Sequence, residues 1–240
     1  MSPVVALAMV VGGLFVSSGQ ASAQVNSDIG GAYGVYAHIS LFGSLQPPYG
    51  PDPSVTLPSN GSSGITTTVA SEDVTYGPAT FFDSGTLTVT TKGTVGAFGS
   101  VKSSTSIASE TQPSGSCPGT ETSCVYAGPF TADSAASHCT ASATGNSGGT
   151  TLSNGQVVTA TDTNGNPTTT VSIPNSPTAN YSVSGYLYAS STDKETFTWT
   201  FNQKTTNPDG SITVYAAHQH LIGPTAVGDL YIGESNCGVQ

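Results

Sequence analysis

Four histidines, His38, His138, His218 and His220, are the side chains best suited to exchange a proton near neutral pH. On a strand His218 and His220 point to one face, and two imidazoles at that spacing suit zinc or copper. His38 or His138 would have to supply a third ligand. Strand parity works against this, because His218 and His220 share it with Ile212, Val214 and Ile222. Either the strand carries a bulge near Ala216 and Ala217, or one histidine is a hydrogen-bonded core residue. The second, structural reading is the plainer one.

Other constellations offer less. No serine sits in a G-x-S-x-G elbow or in a strand–turn–helix setting, so no hydrolytic nucleophile stands out. Of the 14 acidic residues, only Glu72 with Asp73 and Asp193 with Glu195 are near one another, and both pairs read as solubilising groups at strand ends or loops. Asp162 to Asn166 begins like a calcium loop. The glycine required at its sixth position is Pro167 and the glutamate at its twelfth is Ile173, which favours an Asn-Gly turn. Tyr186 and Tyr188 share one strand face, opposite Val183 and Leu187. An exposed pair of this kind stacks on a sugar ring or a partner protein, while a buried pair packs a core. No cofactor is implied, and the expectation is a non-enzymatic protein.

The elements that must position these residues are strands. No stretch keeps helical periodicity over ten residues, whereas apolar and hydroxyl residues alternate in many places. Tyr33, Val35, Ala37, Ile39 and Leu41 form one face of a strand, with Tyr36 and His38 on the other. Phe197, Trp199 and Phe201 share a face opposite threonines, which places the single tryptophan in the core. Asn207-Pro208-Asp209-Gly210 is a turn joining that strand to Ser211–Ile222 as a hairpin. Thr86–Thr90, Ile65–Val69, Val101–Ile107, Ser134–Ala141, Thr168–Ile173 and Tyr181–Tyr188 read as further strands. Gln46–Gly64 and Gly145–Gly165, rich in Pro, Ser, Gly and Asn, read as loops. The fold class is all-β: an antiparallel β-sandwich or jelly-roll-like domain, stapled by disulfides.

Cysteine usage and the N-terminal residues set the compartment. Residues 1–23 hold an apolar run from Val4 to Val16 and the small-residue stretch Ala21-Ser22-Ala23, as in a secretory signal peptide. No basic residue precedes that run, which suggests a start upstream of Met1. Residues 24–240 form one secreted domain. Cys117, Cys124, Cys139 and Cys237 allow three pairings; the short Cys117–Cys124 separation favours a local staple and leaves Cys139 with Cys237. Neither a membrane span nor a sorting signal is legible, the match at Leu57–Gly61 being accidental. The charge is thin: four lysines, no arginine, 14 acids and a formal net charge of −10, set among 69 serines and threonines. Such a chain cannot neutralise a phosphate backbone or gather at an anionic membrane, so nucleic acid is excluded as a partner. Cell-wall polysaccharide or an envelope protein fits better.

Several runs resemble the choice-of-anchor P family of secreted bacterial proteins. They are Gly210–His218 (GSITVYAAH), Gly223–Gly233 (GPTAVGDLYIG) and Cys237–Val239, with Ala32–Gly34, Pro53–Pro58, Gly85–Thr90 and Thr131–Asp133 followed by Cys139. The resemblance implies an exported β-rich domain and brings no catalytic residue. It matches Cys139 and Cys237 to the family's pair and His218 to its usual histidine; His220, Cys117 and Cys124 have no counterpart. Without a surface anchor, it implies release from the cell or retention through non-covalent contacts.

Overall fold

A computed structural model describes residues 24–77, 79–111 and 123–240. The expected signal peptide and Cys117 lie outside the described residues. Every element among them is a strand. The first group is β1 (Asp28–Leu41), β2 (Ser44–Leu45), β3 (Tyr49–Thr56), β4 (Ser62–Val69), β5 (Glu72–Tyr76) and β6 (Ala79–Ser84). Next come β7 (Leu87–Thr94), β8 (Ser100–Ala108), β9 (Glu110–Thr111), β10 (Ser123–Ala127), β11 (Phe130–Ala132) and β12 (Ser134–Ser142). The last are β13 (Gly145–Ser153), β14 (Gln156–Thr161), β15 (Pro167–Ser172), β16 (Tyr181–Tyr188), β17 (Lys194–Thr206), β18 (Ile212–Gly223) and β19 (Ala226–Val239).

Among the described residues these strands form two sheets. The larger runs β2-β1-β19-β18-β17-β16-β14-β11-β10-β6-β5, with β3 beside β1, β15 beside β14 and β9 beside β10. The smaller runs β13-β12-β8-β7-β4. Pairing is antiparallel apart from one parallel contact, Ala160 with Tyr186. The large sheet curls, so that Val74 and Phe82 near one end share a core with Val35, Ala37 and Ile39 near the other. Tyr76 on β5 donates to the Pro47 carbonyl at 3.1 Å, holding the two ends together. Leu87, Ile107, Ala135 and Leu152 of the small sheet complete that core. Trp199 lies fully buried between Phe130 and Phe201, at ring distances of 5.2 and 5.8 Å.

The expected all-β sandwich and the β17–β18 hairpin are present. Gly210, at φ +84°, closes its turn by donating to the Asn207 carbonyl. Cys139 on β12 joins Cys237 on β19, so this bridge ties one sheet to the other. It sits among Leu57, Val101, Ala141 and Val214.

Two expectations need correction. The segments read as loops, Gln46–Gly64 and Gly145–Gly165, contain β3 and the whole of β13 and β14, and β4 begins within the first. Their Pro and Gly content lowers strand propensity, but β3 and β13 are edge strands, where a single neighbour supplies the ladder, and β14, rich in Val and Thr, is paired by β11, β15 and β16. The second correction concerns Tyr33, which does not join Val35, Ala37 and Ile39 in the core. Burial slips by one residue at the same level of four adjacent strands: Gly34 and Val35, Phe201 and Asn202, Ala216 and Ala217, Ile232 and Gly233 are all buried neighbours. Asn202 and Gly233 have φ of +50° and +65° there. The bulge anticipated at Ala216–Ala217 is thus one member of a row, and rows of this kind let a sheet curl.

Candidate functional site

Beyond that row, the even positions of β18 and the odd positions of β19 face outward. Counting back from the Gly223–Ala226 turn pairs His220 with Asp229 and His218 with Tyr231. On the far side of β19, His38 lies opposite Asp229 and Tyr36 opposite Tyr231. Both imidazoles converge on one carboxylate oxygen: His218 Nε2–H and His220 Nδ1–H each donate to Asp229 Oδ1 at 2.8 Å. His218 Nδ1 is 2.7 Å from Gln203 Oε1, and its ring stacks on Tyr231 at 4.2 Å and 10°. Tyr231 in turn lies 6.2 Å from Tyr36 and 5.0 Å from Tyr215. The hydrogen bond from His218, followed by that from His220, holds the Asp229 carboxyl below its usual range against the opposing effect of burial.

The next level continues the strip with Tyr215, Glu234 and Tyr33 in register. Burial pushes the Glu234 carboxyl up, and hydrogen bonds from the Tyr215 and Tyr33 hydroxyls offset part of the shift. Both phenols are pushed up in turn, first by burial and then by the Glu234 charge.

His220, its side chain 53% exposed, makes no hydrogen bond through Nε2 to a described residue. With Nδ1 held by a carboxylate, that nitrogen has the orientation of a general base. No hydroxyl is bonded to it, however, and it stands on an open sheet face. Among the described residues no group of three or more His, Cys, Asp or Glu is arranged to hold a metal ion. His138, one of the two expected third ligands, is on β12 of the other sheet. His218 and His220 are therefore joined through Asp229 in a hydrogen-bonded group.

Tyr186 and Tyr188 do share the outer face of β16, while Val183 and Leu187 pack inward. Their rings are perpendicular, at 89° and 5.9 Å, and the Lys194 ammonium lies 3.8 Å over the Tyr186 ring. The two rings do not make one flat platform. The Asp162 turn closes on itself, its Oδ1 accepting from the Asn164 and Asn166 amides at 2.8 and 2.9 Å. Glu195 accepts from the Thr225 and Ala226 amides, and Asp193 from the Thr225 hydroxyl, so this acidic pair fastens the β18–β19 turn.

Asp229, Tyr231, Tyr215, Glu234 and Gln203 were not singled out from the sequence. The signal available was the register across the Gly223–Ala226 turn, which places Asp229 and Tyr231 beside the two histidines. No family model matches the chain, and no curated protein or solved structure matches it.

Proposed function

We propose that the chain is an exported, non-enzymatic binding module that holds a neutral polysaccharide of the cell envelope on the outer face of β17, β18, β19 and β1. The observation carrying this reading is the solvent-facing strip of Tyr36, His38, His218, His220, Asp229 and Tyr231. It sets aromatic rings beside hydrogen-bonding atoms that the protein does not use: Asp229 Oδ2 and His220 Nε2 make no hydrogen bond to a described residue. Sugars offer hydroxyls to such atoms and C–H faces to such rings. A net charge of −10 disfavours an anionic polymer. Export rests on the apolar Val4–Val16 run and the Ala21-Ser22-Ala23 stretch, and the resemblance to choice-of-anchor P proteins supports it.

Pull-down on a panel of insoluble neutral polysaccharides tests the reading. Retention on at least one is expected, weakened about fivefold to tenfold by His220→Ala, the effect of one lost hydrogen bond. Absence of retention on every polymer overturns it. So does retention that both His220→Ala and Tyr36→Ala leave unchanged.

A further inference from the structure

A concave feature lies away from this face, at one end of the curled sheet. β6, the β10–β11 turn, β16, β17, β18 and the start of β19 enclose a groove of about 430 Å³. That volume falls in the range of small-molecule sites, which often occupy the mouths of barrel-like sheets. Its walls are largely apolar, with Phe81, Pro129, Leu187, Phe197 and Leu221 contributing. Glu195 also lines it, but both its oxygens accept backbone amides at the Thr225 turn. No lysine lines the groove.

Thr80, Tyr126 and Tyr188 add hydroxyls to the lining, and Gln219 is its one amide. Gln219 is only 2% exposed and lines the groove, yet its amide makes no hydrogen bond to a described residue. The bulge row explains its inward direction, since beyond Ala217 the odd positions of β18 are the buried ones. Its neighbour on β17 is Trp199, whose indole N–H is buried with no hydrogen-bond partner among the described residues. Gly128, at φ +56°, stands on the wall facing the amide: a Cβ there would lie 3.7 Å from Gln219 Nε2. The missing side chain leaves room directly before the amide.

An amide with no protein partner at the wall of an apolar groove does little for packing, because an apolar residue of the same shape would serve there without needing water. It becomes favourable when a ligand completes its hydrogen bonds, and an amide offers both a donor and an acceptor. We infer that this groove binds a small, neutral, mainly aliphatic molecule carrying one hydroxyl or carbonyl group, with that group against Gln219 and the apolar part along Phe81, Leu187 and Phe197. A carboxylate is excluded from the same position by the lack of a cation to pair with it. This site is independent of the polysaccharide face, and neither reading depends on the other.

The test uses the full chain and the neutral fluorophore N-phenyl-1-naphthylamine, titrated to saturation and then displaced by 1-decanol or by decanoate at pH 8. Saturable one-to-one binding is expected, with decanol displacing the dye at concentrations about tenfold or more below decanoate. Ala189→Trp, at the exposed rim, is expected to abolish dye binding by filling the groove without touching the core. Gln219→Leu is expected to keep dye binding and a melting temperature at or above that of the parent. It should weaken decanol about tenfold, the effect of one buried hydrogen bond. The inference is overturned by a lack of saturable dye binding, by dye binding that Ala189→Trp leaves unchanged, or by decanoate competing as well as decanol. Decanol competition unaffected by Gln219→Leu overturns it as well. If Gln219→Leu does not fold, Ala189→Trp and the comparison of decanol with decanoate still decide.

Discussion

Asp229 and Glu234 both stand on the outer face of β19, and their surroundings push the two carboxyls in opposite directions. Asp229 is lowered by the hydrogen bonds from His218 and His220; Glu234 is raised by burial. The sign of each follows from linkage. A carboxyl lowered below its unfolded value of about 3.9 adds stability above that pH, and this is lost as pH falls through the folded value. Glu234, being raised, works the other way and favours the folded state at low pH. Asp229→Asn keeps the shape and removes the charge that both imidazoles address. We expect it to lower unfolding free energy by about 1 kcal/mol above about pH 5, the difference shrinking as pH falls below the ordinary carboxyl value and through the lowered folded one. Urea unfolding of parent and variant across pH 2–8 checks this, and a difference that does not vary with pH would count against it. The two histidines were legible in the sequence as a pair with one facing direction. Their shared carboxylate was not, because it arrives from the next strand, and only the register across a turn brings it there.

At the scale of elements, the row of slips through Gly34, Asn202, Ala216 and Gly233 decides which side chains are candidates at all. Without it, His218 and His220 would face the core together with Val214, and Tyr33 would lie inside with Val35. Sequence parity exposed the conflict in β18, where two histidines followed an apolar phase. It could not expose the one in β1, where Tyr33 suits either face and Gly34 carries no side chain to mark the change. Gly34 is needed for close approach: a Cβ there would lie 2.5 Å from Leu87 Cδ2 and 2.7 Å from the Asp52 carbonyl oxygen. The second contact is with backbone, which cannot simply rotate away. Gly34→Ala is therefore expected to destabilise the fold by about 1–3 kcal/mol, the usual range for overpacking. Gly149→Ala is the control, its nearest contact being a histidine ring at 3.4 Å. Thermal melts of the two variants should separate clearly, and equal melting temperatures would show that β1 and β7 can part there without loss.

For the whole molecule, alternation and turn chemistry were enough to foretell the all-β sandwich that the described residues form. Segments rich in Gly, Ser and Pro were harder, because β3 and β13 are held by a neighbour's ladder and by little of their own propensity. The disulfide belongs to this scale, since Cys139 and Cys237 are 98 residues apart and join β12 of the small sheet to the last strand of the large one. Hydroxyl groups make many of the other contacts between these sheets. Ser137 bonds Ser235 at 2.7 Å, Ser103 the Asn236 carbonyl at 2.9 Å, and Thr105 the Glu234 carbonyl at 2.6 Å. Each such bond contributes only about 1 kcal/mol net. A cross-link over so long a loop contributes more, roughly 4–5 kcal/mol in the chain-entropy account. Replacing Cys139 and Cys237 by alanine is therefore expected to lower unfolding free energy by about 3–5 kcal/mol, read from urea unfolding with the slope fitted for each protein, since the freed unfolded chain exposes more surface. A loss below about 1 kcal/mol would mean that the hydroxyl contacts and the apolar cluster around Leu57 and Val214 hold the sheets together unaided.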